Sequence, residues 1–128
     1  MITEDYCSFE VSKLLRDKGF DEPCWLKYDN EGYLSFNHVG YINSEKPCDD
    51  FCALAPTHQT AMKWLRIKHN ILLFLLPAQE NGKLVYLVEV WTWNEEEGIY
   101  ESTYAPMPRK EPEKAVEAAI KYCLENLI

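Results

Sequence analysis

The sequence predicts an α+β fold: a mostly antiparallel sheet of about five strands with three helices packed against it, in the order α-β-β-α-β-β-β-α. Three observations carry that prediction. Residues 71–76, Ile-Leu-Leu-Phe-Leu-Leu, and residues 84–91, Leu-Val-Tyr-Leu-Val-Glu-Val-Trp, are apolar runs separated by a polar break, residues 77–83, that holds Asn81-Gly82, which is the pattern of a hairpin. Three other stretches repeat apolar residues at helical spacing. The strand candidates are joined by short polar turns, which favours antiparallel neighbours over parallel crossovers. Because neither central run alternates cleanly, both of its faces are expected to be covered, as in a central strand pair rather than an edge.

In chain order, Ser8 is a candidate N-cap, Val11, Leu14 and Leu15 share a face with Cys7, and Gly19 suits the C′ position, so the first helix covers about residues 8–18. The segments around Trp25–Tyr28 and Tyr33–Phe36 flank Asp29-Asn30-Glu31-Gly32, a turn composition, and form a peripheral hairpin. Residues 38–55 show no convincing periodicity, which is long for a connection inside a compact domain and makes them a candidate contributor to a site. Thr57 caps a second helix with Ala61, Met62, Trp64 and Leu65 on its apolar side, and Asn70 ends it in a left-handed conformation. After the central hairpin, a polar turn at residues 94–98 returns the chain as a strand at residues 99–104. Pro112 suits a helix N1 position, and Val116, Ala119, Ile120, Cys123 and Leu127 recur on one face of the last helix.

At 128 residues the chain is expected to form one domain, residues 1–128, around one core. Its net charge of −8 disfavours broad binding to nucleic acid or to an anionic membrane surface. The N-terminus lacks the basic and apolar regions of a signal peptide, and the run at residues 71–76 is too short to cross a bilayer, so a cytoplasmic location is expected. Five irregularly spaced cysteines suit reduced thiols better than a disulfide framework.

Candidate sites are few. Cys48 and Cys52 have the spacing of a zinc ligand pair, with His58 six residues beyond, but no second paired motif completes a tetrahedral set. Ordinary thiols explain the pair more simply. A cysteine nucleophile would need His58 or His38 as its base, and neither stands in a catalytic signature. Lys63, Arg66 and Lys68 interrupt a stretch, residues 57–70, that has no acid at all. They form either a small anion-binding stripe or a solvated helix face whose last turn complements the helix dipole, and the second reading is the simpler. Trp25, Trp91, Trp93, Tyr100 and Tyr104 form an aromatic binding patch on the sheet or pack beneath a helix. The acidic runs Asp49-Asp50 and Glu95-Glu96-Glu97 read as solvated turns. There is no GxGxxG, P-loop, HExxH, GxSxG or CxxC motif, and no cofactor is implied.

Three stretches carry a resemblance: residues 4–10 leading to Lys18-Gly19-Phe20-Asp21-Glu22-Pro23-Cys24, then residues 55–66 (Ala-Pro-Thr-His-Gln-Thr-Ala-Met-Lys-Trp-Leu-Arg), then residues 115–128. They resemble a group of small uncharacterised bacterial proteins that recur near prophages and other mobile elements. The resemblance implies an accessory role in the biology of such an element and brings no catalytic residue with it. The reading that results is a non-enzymatic module that binds a protein, with a homodimer among its possible forms. A small-ligand or metal-binding domain, or an enzyme using residues 38–58, is the alternative, and an acidic mimic of nucleic acid is a more distant one.

Overall fold

A computed structural model describes residues 2–45, 51–104 and 107–128. Its elements are α1 (Phe9–Asp17), β1 (Leu26–Tyr28), β2 (Leu34–Phe36), β3 (Ala53–Ala55), α2 (His58–His69), β4 (Ile71–Glu80), β5 (Lys83–Asn94), β6 (Ile99–Tyr104) and α3 (Pro112–Asn126). The contacts divide the chain into two compact units, Met1–Ala61 and Met62–Ile128.

In the N-terminal unit, Ser8 caps α1 by accepting a hydrogen bond from the Val11 N–H at 3.2 Å. Gly19, at φ +92°, ends the helix in a conformation that costs a residue without Cβ little. Val11, Ser12 and Leu15 are the buried residues of α1, and the helix packs on β3. The sheet order is β2-β1-β3, antiparallel throughout, with Leu26 opposite both Phe36 and Ala55. Among the described residues that follow β2, 37–45, two asparagines make the longer-range hydrogen bonds together with Asp21. Asn37 donates to the carbonyls of Cys24 (3.1 Å) and Tyr41 (2.9 Å) and accepts from the Tyr41 N–H (3.0 Å). Asn43 is buried, donates to the Phe20 carbonyl at 2.6 Å and accepts from the Leu54 N–H at 2.9 Å. Each amide satisfies backbone groups that would otherwise be desolvated without partners. The N-terminal residues return as well: Cys7 N–H donates to the Pro56 carbonyl and His58 N–H to the Asp5 carbonyl, so Tyr6 and Thr57 form an antiparallel bridge.

α2 starts in this unit and ends in the other. Thr57 Oγ1 accepts from the Thr60 N–H at 3.1 Å, and Asn70 at φ +54° terminates the helix directly before β4.

In the C-terminal unit the strands follow in order β4-β5-β6, antiparallel, and α3 packs on β5 and β4. Val88 and Val90 of β5 have no exposure, which marks the face that α3 covers. Asn81 (φ +53°) and Gly82 (φ +76°) are the two central residues of a tight turn between Glu80 and Lys83. Positive φ at both positions is the type I′ turn whose twist matches flanking strands.

Three expectations need correction. Among the described residues there are six strands in two three-stranded sheets, not about five in one; the additional strand is β3, three residues long and wholly buried, so it shows no alternation to read. The polar break at residues 77–83 is only the two-residue turn, since β4 continues through Pro77 to Glu80. β4 is also an edge strand rather than part of a covered central pair, with Phe74 and Leu75 each 46% exposed.

The proline is tolerated for a reason visible in the register. Tyr86 of β5 donates to and accepts from Arg109 at 2.7 Å in both directions, so its backbone groups point away from β4. Pro77 lies opposite Tyr86, and such a pair shares no ladder bond. The ring nitrogen of Pro77 therefore faces outward, where its missing N–H costs the sheet nothing.

Candidate interaction surface

The same alternation defines the two faces of the C-terminal sheet. Ile71, Leu73, Val88, Val90 and Thr92 lie on the face covered by α3, while Leu72, Phe74, Leu76, Leu87, Glu89, Trp91 and Trp93 lie on the other. Tyr100 joins the second group opposite Trp93. Val85 lies on this second face too and is buried, so the face is exposed only in part, and a solvated sheet face ordinarily carries polar residues. This face is instead mainly aliphatic and aromatic.

Its rings form two edge-on pairs. Phe74 meets Trp91 with centroids 6.2 Å apart at 89°, and Trp93 meets Tyr100 at 5.1 Å and 65°. Both geometries set the positive edge of one ring against the negative face of the other. The indole N–H of Trp91 donates to a Glu89 carboxylate oxygen at 2.9 Å, so the acid in the middle of the face is tied down and the indole is fixed. Trp93 is 41% exposed, and Trp91, Leu72, Leu76 and Leu87 are half-buried. Trp25 is 84% exposed but belongs to the N-terminal unit, and the side chain of Tyr104 lies outside the described residues.

Lys63, Arg66 and Lys68 are all exposed on α2. They do not form one stripe. At about 100° per residue, Lys63, Arg66 and Ile67 share a face, whereas Lys68 stands one turn above the buried Trp64. Ile67, which follows Arg66, is 60% exposed on that face. His69 packs edge-on to Trp64 at 4.9 Å, and burial lowers its pKa.

Of the metal candidates, Cys48 lies outside the described residues. Cys52 is half-buried, with the Arg16 guanidinium donating to both its sulfur and its carbonyl at 3.2 Å. The sulfur brought to His58 is that of Cys7, since their ligand atoms lie within 4.8 Å. The bridge between residues 6 and 57 makes this approach, and nothing in the spacing of 51 residues could have shown it. Both side chains are buried, Cys7 completely. A thiolate and an imidazole are both ligand types that zinc accepts.

Two of the thiols are poor nucleophiles at neutral pH. Burial, aided by the neighbouring Glu22 charge, pushes Cys24 up to about 12, and burial pushes Cys123 up to about 12 against a smaller opposing backbone hydrogen bond. An open cleft of about 240 Å³ in the N-terminal unit is lined by Arg16, Asp17, Phe20, Asp21, Asn43 and Ser44. Its polar groups are engaged in structure: Asp21 accepts from the Ser44 N–H (2.9 Å) and hydroxyl (2.6 Å), Asn43 bridges Phe20 and Leu54, and Arg16 holds Asp17 and Cys52. His38, expected near the cysteines if the connection were a ligand site, is exposed beside Phe36.

No helix among the described residues is long and apolar enough to cross a membrane. Compared with known proteins, the chain matches no family model, no curated protein and no solved structure.

Proposed function

We propose that the protein is a non-enzymatic interaction module that binds a protein partner through the partly exposed aromatic face of the β4-β5-β6 sheet. The observation that carries this reading is the half-exposed ring cluster of Phe74, Trp91, Trp93 and Tyr100 on a sheet face where water-compatible residues would be expected. Aromatic side chains give large contact area for little conformational entropy, and tryptophan and tyrosine are the residues most often found at the energetic centres of interfaces. The net charge of −8 turns the reading away from nucleic acid, and the engaged polar groups of the cleft turn it away from a small ligand. Following the resemblance to proteins found near mobile elements, the same proposal seeks that partner among the proteins of a phage or mobile element or its host.

The test is capture from the native host with wild-type protein, followed by titration of each captured protein, purified, against wild type, Trp93→Ser and the pair Lys63→Ala, Arg66→Ala. Binding weakened tenfold or more by Trp93→Ser and unchanged by the helix variant supports the sheet face. Binding lost only in the helix variant moves the site to α2, and binding indifferent to both removes the proposal.

A further inference from the structure

The outer edge of β4 has a self-complementary pattern. Because Pro77 faces outward, so do the backbone groups of every second residue from it: Leu73, Leu75 and Gln79 each direct an N–H and a carbonyl away from β5, and Pro77 directs a carbonyl. Among the described residues none of these groups has a backbone partner outside the β4-β5 ladder. The other edge, β6, is shorter, carries Glu101, and adjoins the register shift between Val90 and Trp91. Edges of that kind resist pairing, whereas β4 is ten residues long with a single charge, Glu80, at its end, and its one blunting residue, Pro77, removes a single outward donor.

We infer that a second copy of this chain adds to β4 in antiparallel register about a two-fold axis at Leu76, joining the two sheets edge to edge. The inference deepens the reading of this unit as an interaction module by naming one partner, the protein itself. In that register Leu75 faces Pro77 of the second copy and Leu73 faces Gln79, so every outward N–H of Leu73, Leu75 and Gln79 finds a carbonyl. Pro77 costs only the bond that would have reached the Leu75 carbonyl. The side chains match as well. Leu76 meets its own copy at the axis, bulky Phe74 meets small Ala78, and Glu80 meets Leu72, so no like charges stand opposite one another. That last point favours the site, because two chains of −8 repel and this edge sets one carboxylate per copy, Glu80, against an apolar residue. A strand paired with itself is isologous, so the assembly closes at two copies.

Full-length protein is examined by sedimentation equilibrium over a hundredfold dilution, with three variants whose fold is checked by circular dichroism. Wild type is expected to dissociate from dimer to monomer with dilution. Leu76→Lys, which sets two cations at the axis, is expected to be monomeric throughout. Gln79→Pro, which removes an outward donor and no bond of the hairpin, is expected to weaken the dimer at least tenfold. Leu76→Cys is expected to form a disulfide-linked dimer under mild oxidation that wild type does not form, since non-hydrogen-bonded antiparallel pairs bring side chains closest. A wild-type monomer at every concentration, a dimer unaffected by Leu76→Lys, or an uncrosslinked Leu76→Cys overturns the inference. Trp93→Ser, which tests the sheet face, leaves the dimer intact, so this inference and the partner reading fail separately.

Discussion

Asn43 shows how much one side chain settles in the N-terminal unit. Its amide closes the connection between β2 and β3 by pairing with the Phe20 carbonyl on one side and the Leu54 N–H on the other, all of it buried. Replacing it by alanine leaves a buried acceptor and a buried donor without partners. The expected loss is about 3 kcal/mol of stability by urea unfolding, and Asn43→Asp recovers only the bond from Leu54. Two thiols, half-buried Cys24 and buried Cys123, make a second prediction, with the sign fixed by linkage. Cys24 and Cys123 hold their protons more tightly in the folded protein than at the ordinary value of 9.0, so folded chains keep protons that unfolded chains release. Their contribution is intact below pH 9.0 and is lost as pH rises from there toward 12. Stability measured by denaturant titration should therefore fall above pH 9.0, and the fall should be shallower in Cys123→Ala. His69 works in the opposite range: burial lowers its pKa, so its contribution is complete above 6.5 and declines as pH falls. The imidazole resonances of His69 should titrate with a midpoint below 6.5.

Among the elements, β4 is the most exacting test of the register. An outward-facing proline donates nothing and blocks nothing within the hairpin, so Pro77→Ala should change stability by less than about 0.5 kcal/mol. Phe74 has the opposite parity and takes part in the ladder to Glu89, so Phe74→Pro should cost about 3 kcal/mol and disturb the hairpin in circular dichroism. A reversal, with Phe74→Pro tolerated and Pro77→Ala stabilising, would show that the strand is shifted by one residue. Most helix ends were legible in the sequence because caps are local: Ser8, Thr57 and Asn70 act within a few residues of themselves. Strand β6 was legible because polar residues bound it on one side and prolines follow on the other. β3 was not, because three buried residues in a row have no periodicity, and their partners lie in β1 and α1.

For the whole molecule, the charge of −8 governs association. Two copies meeting at an edge with a single carboxylate per copy gain from salt, which screens the repulsion of everything else. The dimer proposed here should tighten as ionic strength rises, measured by sedimentation at two salt concentrations. A contact built on Lys63 and Arg66 against an acidic partner should weaken under the same change. The direction of the salt effect therefore discriminates the two surfaces without knowledge of any partner.

By itself, the sequence determined which segments are helical, where the long hairpin turns, and that aromatic residues concentrate in its strands, because these follow from spacing and turn chemistry within a few neighbours. Tertiary structure decided that the strands divide into two sheets, that β4 lies at a rim with its proline turned outward, and that Cys7 rather than Cys52 approaches His58. Each of these is set by a pairing between residues far apart in the chain. Such a pairing depends on which surfaces bury one another, and local composition carries no record of that.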